Sequence, residues 1–71
     1  MKHYYKDYND GDWSIWQEDP NNYGLVRIIA FYNNIIGKID YQLGDYGTKE
    51  EVVSIYPLNE INEEEVFLLL L

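Results

Sequence analysis

A chain of 71 residues with 13 Asp and Glu, five Lys and Arg and no Cys carries a formal charge of −8. Disulfide scaffolds and thiolate metal sites are therefore excluded, and the fold must stand on apolar burial alone. Duplex nucleic acid and anionic lipid both repel such a surface, so direct binding to nucleic acid or membrane is not expected and a basic protein face is the natural complement.

The apolar share of 46%, with eight Tyr, two Trp and two Phe, suffices for one globular domain spanning residues 1–71 and argues against disorder. Met1 to Lys6 contain no apolar core of the kind a secretory signal needs, so residence in the cytoplasm, that of a bacterial host, is the expectation. The apolar run Val66 to Leu71 is far short of the roughly 20 residues a membrane span requires, and belongs to a core or an interface.

In chain order, His3 to Tyr8 and Trp13 to Glu18 are two aromatic-rich runs around the turn signal Asn9-Asp10-Gly11-Asp12, which predicts a hairpin. With Asp10-Gly11 as its loop, Tyr8 meets Trp13 and Tyr5 meets Trp16 on opposite faces. Asp19 to Gly24, with Pro20 near one end and a glycine at the other, connects this hairpin to the next.

Leu25 to Leu43 reads as a second hairpin around Asn33-Asn34, a pair that tolerates positive φ. A two-residue loop puts Tyr32 opposite Ile35, Ala30 opposite Gly37, Ile28 opposite Ile39 and Val26 opposite Tyr41, all on one face. The other face then pairs Phe31 with Ile36, Ile29 with Lys38, Arg27 with Asp40 and Leu25 with Gln42, setting opposite charges together. Ala30 and Gly37 would leave a shallow place where a helix or ring approaches closely.

Thr48 to Leu58 carries two conflicting signals. Thr48-Lys49-Glu50-Glu51 is a capping box, whereas Val52 to Tyr56 has strand composition, and a strand is the expectation. Beyond Pro57, Asn62 is an N-cap with Glu65 at the third helical position, and three carboxylates suit the positive end of a helix dipole. A C-terminal helix from Glu63 to about Leu70 follows. The expected fold is α+β: a small antiparallel sheet of four or five strands, built from hairpins, with one C-terminal helix packed on a face; an all-β fold is the alternative.

Chemistry-bearing motifs are sparse. Asp7 to Asp12 resembles a calcium loop in composition, but its register fails: with Gly11 at the sixth position, Lys6 and Tyr8 fall at the first and third, and Gln17 at the twelfth. His3 is the sole histidine, the hydroxyls of Ser14, Thr48 and Ser54 have no pattern around them, and no phosphate-cradling glycine motif is present. Neither a cofactor, a metal site nor catalysis is expected.

What remains is the carboxylate surplus, since a merely soluble surface mixes both signs, and an excess of Tyr, a residue enriched at interfaces. The candidate partner-binding residues are Asp10, Asp12, Glu18, Asp19, Asp45, Glu50 and Glu51 as phosphate-like groups, with Tyr8, Tyr23 and Tyr46 as aromatic contacts. The leading functional expectation is an inhibitor that imitates nucleic acid and occupies the basic groove of a nuclease or another nucleic-acid-binding protein. Small acidic proteins of this type, anti-CRISPR proteins among them, are carried by phages and mobile elements; the chain is similar to them in size, charge and composition. An immunity protein or antitoxin against a basic toxin, and an oligomerising module using the Leu-rich tail, are the alternatives.

Overall fold

The computed structural model describes residues 2–22, 24–41, 46–55 and 57–71. Among these, six strands and two helices follow in the order β1 (Tyr4–Asn9), β2 (Asp12–Glu18), β3 (Leu25–Asn33), β4 (Lys38–Tyr41), β5 (Tyr46–Thr48), α1 (Lys49–Ile55), β6 (Asn59–Ile61) and α2 (Glu63–Leu69). The strands form one antiparallel sheet in the order β4-β3-β2-β1-β6, with β5 pairing along β3 beside β4. The chain is thus mostly antiparallel sheet with two short helices.

The first hairpin forms in the expected register, with Tyr8 opposite Trp13 and Tyr5 opposite Trp16. Its loop residues Asp10 and Gly11 have φ of 52° and 89°, the mirror-image turn whose twist matches that of the flanking strands.

The second hairpin also forms, but four residues out of the expected register: Tyr32 faces Ile39 and Asn33 faces Lys38. The Asn33 carbonyl accepts the Gly37 N–H at 2.8 Å, and Gly37 supplies the positive φ of 68° that turns the chain back, so residues 34–37 become the loop and Ile35 and Ile36 leave the strand. The shift is even, so Ile39 still shares Tyr32's face. The expected cross-strand pair of Arg27 with Asp40 does not form. Arg27 lies between Gln17 and Tyr46, and Asp40 faces Phe31. Ala30 likewise faces Tyr41 rather than Gly37; Gln42 and Leu43 lie outside the described residues.

A second correction concerns the two faces of β3. The pairing with β2 shifts between Ile15, opposite Ala30, and Trp16, opposite Ile28, leaving Ile29 as the extra residue of a bulge. A bulge reverses the alternation beyond it. Val26 and Ile28 therefore share one face with Tyr5 and Trp16, while Ala30 joins Tyr4 and Ile15 on the other. The expected single apolar face of Val26, Ile28, Ala30 and Tyr32 is split between two small cores.

Each core is closed by one helix. Residues 49–55 form α1, not the expected strand. The Thr48 hydroxyl accepts the Glu51 N–H at 3.2 Å, the Lys49 N–H donates to the Gly24 carbonyl, and Glu50 and Glu51 sit in the first turn, so the capping signal prevails. Val52 alone of Val52, Val53 and Ser54 is buried, and it completes the Tyr5-Trp16-Val26-Ile28 core, with Phe31 and Leu58 packed against it. One apolar position suffices for a two-turn helix laid on a sheet; the β-branched composition of the segment is overridden by tertiary contact.

On the opposite face α2 starts where expected. The Asn62 side chain accepts the Glu65 N–H at 2.8 Å, and Val66 packs on Tyr4, Ile15 and Ala30, with Leu69 and Leu70 beside it. Ala30 is the small residue that lets this helix approach. Before it, β6 is a three-residue edge strand against β1, which the sequence reading did not anticipate.

Candidate protein-binding surface

Among the described residues, many of the polar side chains gather at the two ends of the β1-β2-β3 sheet and on the helices that follow. The distance between the ends is set by β2: Asp12 begins it and Glu18 closes it, a span of roughly 20 Å at ~3.3 Å per residue. The predicted acidic residues therefore do not converge on one spot.

At the first end two turns interlock. Asp12 Oδ1 accepts the Asn34 N–H at 2.8 Å, and the Asn34 side-chain amide donates to the Asp10 carbonyl. The Asn33 side chain accepts the Ile35 N–H at 2.9 Å, an Asx turn inside the β3–β4 loop. Gly11 makes the close approach possible, because a Cβ there would stand 2.3 Å from Asn34 Nδ2. Asp10 is exposed and Asp12 half-buried. On the adjoining face Tyr8 is 62% exposed, next to Trp13, which stacks on Tyr32 with centroids 5.3 Å apart and is overlain by the Lys6 ammonium at 5.8 Å.

At the second end several polar groups bond within the molecule. Glu18 is only 9% exposed and its N–H donates to the His3 carbonyl. His3 Nδ1 meets Glu60 Oε2 at 3.0 Å. Lys49 donates to the Tyr5 hydroxyl at 3.0 Å and lies 4.5 Å from that ring's centre. The hydrogen bond to Tyr5 holds the Lys49 pKa above its ordinary 10.5 against a modest loss of hydration, with the Glu18 and Glu60 charges adding to the effect. Asp19 is half-buried and caps its own turn, accepting the Asn21 N–H at 2.8 Å. Glu50 and Glu51, exposed on α1, line an open trough of about 1130 Å³ with Leu25 and Val53 on its walls.

Of the predicted contact residues, Asp10, Glu50, Glu51 and Tyr8 are thus exposed, Asp12 and Asp19 are partly covered and engaged with backbone donors, and Glu18 is buried. Tyr23 and Asp45 lie outside the described residues, as does the Tyr46 side chain. A further polar group lies between the strands: Ser14 donates both its N–H, at 2.9 Å, and its hydroxyl to Asp7 Oδ1, and Trp16 Nε1 donates to Ser14 Oγ at 3.1 Å. Asp7 and Ser14 are buried, so this chain of bonds fixes the Trp16 ring inside the first core rather than presenting a surface.

Two apolar groups are exposed, the first read from sequence as strand and the second as part of a tail belonging to a core or an interface. Ile35 and Ile36 stand at the β3–β4 tip, and Phe67 and Leu68 of α2 are exposed, as is Leu71 beyond the helix end. The signal for the first was Gly37 following Ile-Ile, a turn glycine that marks the loop's true end. The second follows from helical spacing, since Val66, Leu69 and the C-cap Leu70 pack inward and leave Phe67 and Leu68 outside. Among the described residues, no group of three or more His, Cys, Asp or Glu side chains is placed to hold a metal ion, and no helix is long and apolar enough to cross a membrane. Comparison with protein-family models, curated proteins and solved structures finds no match to this chain.

Proposed function

We propose that this chain is a non-enzymatic binding protein that docks on a basic, nucleic-acid-binding surface of another protein and blocks it, as an inhibitor carried by a phage or mobile element against a host defence nuclease would. One observation carries the reading. Asp10, Asp40, Glu50, Glu51, Glu60 and Glu63 to Glu65 are exposed, and among the described residues none of them has a Lys or Arg within ion-pair distance, while Glu60 meets the His3 ring. A surface of carboxylates left uncompensated repels itself at a cost in stability, and meets that cost with a gain when a basic face supplies the missing charge.

Electrostatic steering of this kind speeds encounter and weakens with salt. Exposed aromatic and apolar side chains then set how slowly the complex separates. The test is capture from bacterial lysate on the immobilised chain, followed by elution with increasing salt and, separately, with duplex DNA or RNA. The expected catch is a nucleic-acid-binding protein released by both. A catch indifferent to ionic strength and to nucleic acid refutes the reading. Asp10 and Asp12 differ here: Asp10→Asn, which keeps a residue suited to the positive φ, should weaken capture with the fold intact, whereas Asp12→Lys also removes the acceptor of the Asn34 N–H.

A further inference from the structure

The β3–β4 tip has a composition that hairpin loops avoid. Loops of this length use Gly, Asn, Asp and Ser because water must solvate them, yet Ile35 is 87% and Ile36 64% exposed. Neither residue closes the turn. That work falls to Asn33, whose side chain accepts the Ile35 N–H and whose carbonyl accepts the Gly37 N–H, and to Gly37 with its positive φ.

The tip is also held from outside. Asn34 is bonded through its N–H to the Asp12 carboxylate and through its side chain to the Asp10 carbonyl, so the neighbouring turn fixes the loop that displays the two isoleucines. Ordering a loop in advance reduces what binding must spend on it. Beside this apolar point stands the exposed Asp10 carboxylate; across the two turns, residues 9–12 and 33–38, Lys38 is the single cation against Asp10 and Asp12.

We propose that this interlocked double turn is a preformed plug: Ile35 and Ile36 enter an apolar pocket on a partner protein, and Lys or Arg side chains on the pocket's edge meet Asp10. The inference rests on the reading that the chain binds a basic protein surface, and names the element that makes the contact. Charge complementarity selects this occupant. A second copy would bring its own Asp10 against this one on a body of charge −8, and an anionic lipid surface is repelled in the same way.

The test uses a host that has this chemistry, β-cyclodextrin with its rim converted to amines, an apolar cavity edged by ammonium groups. Neutral β-cyclodextrin and phosphatidylcholine vesicles are the comparison arms, and amide NMR shifts of the whole chain are the readout. The expected result is that the aminated host shifts Ile35, Ile36 and Gly37 first and at lower concentration than the neutral host. Ile35→Ser with Ile36→Ser should abolish that response with an unchanged thermal transition, because both side chains are already in water. Asp10→Asn should bring the aminated host down to the neutral one. Shifts centred on Tyr8 or on Phe67 and Leu68, an equal response in the double serine variant, or a tip that answers to vesicles and not to the aminated host would each overturn the proposal. Where a captured partner is in hand, the double serine variant separates the two claims. Lost capture supports the plug; capture kept by the serine variant but weakened with Asp10→Asn overturns the plug and leaves the acidic reading standing.

Discussion

The two ends of the central sheet use the same residue type to opposite purposes. At the end holding Glu18 and Glu60, Glu18 is buried, Glu60 bonds the His3 ring and Lys49 bonds the Tyr5 hydroxyl, so these polar groups are engaged within the molecule. At the end holding Asp10 and Asp12, the acceptors are spent on the N–H and amide of Asn34, which ties two turns together and leaves an apolar tip and a free carboxylate outside. A carboxylate bonded to a neighbouring side chain closes a surface; one that accepts a turn's N–H builds a rigid edge. The comparison separates a supporting end from a presenting end.

The strongest way to break this contrast is to remove what joins the ends. Ile15 is fully buried at the middle of β2, and Ile15→Ala should cost about 2–5 kcal/mol. Urea unfolding should show both ends lost in one transition. Two transitions would mean that the two small cores fold separately.

Next in size is Gly11→Ala, which forces a side chain into a left-handed conformation and against Asn34. The expected cost is about 1–2 kcal/mol. Faster amide exchange at Asn34 and Ile35, with no change at His3 or Lys49, would place the damage at the presenting end alone. Asp12→Ala is milder at about 1 kcal/mol, and should raise the exchange rate of the Asn34 amide specifically.

The smallest effects belong to the supporting end. Glu60→Gln removes an exposed partner of His3 and should alter stability by less than about 1 kcal/mol. For Lys49 the sign is fixed by its raised pKa: the contribution of its bond to Tyr5 is complete below the unfolded value of 10.5 and is lost as pH climbs through the higher folded value. The stability gap between the native chain and Lys49→Gln should therefore hold constant near neutral pH and close only under alkaline conditions. A gap that closes on acidification would assign the effect to Glu18 or Glu60 instead.

The sequence alone determined those features that are read within a few residues. Asp10-Gly11 set the first hairpin and its register, because Asp and Gly accept the positive φ that both loop positions require. Asn62 with Glu65 set the start of α2, because a side-chain acceptor meets an orphan N–H three residues on. The acidic balance, and with it the expectation of a basic partner, needed no fold at all.

Tertiary structure decided what depends on neighbours distant along the chain. The bulge at Ile29 divided an apparently continuous apolar face, since β3 had to satisfy Trp16 on one side of the sheet and Ile15 on the other. Val52 became helical because one buried contact with the Tyr5-Trp16 core outweighed a β-branched run. Ile35 and Ile36, read as strand, became a tip because Gly37 and the Asp12-to-Asn34 bond closed the loop later than Asn33-Asn34 suggested. Local rules fix φ, ψ and caps, but which of two allowed registers or faces is kept is settled only when the whole sheet has found something to bury.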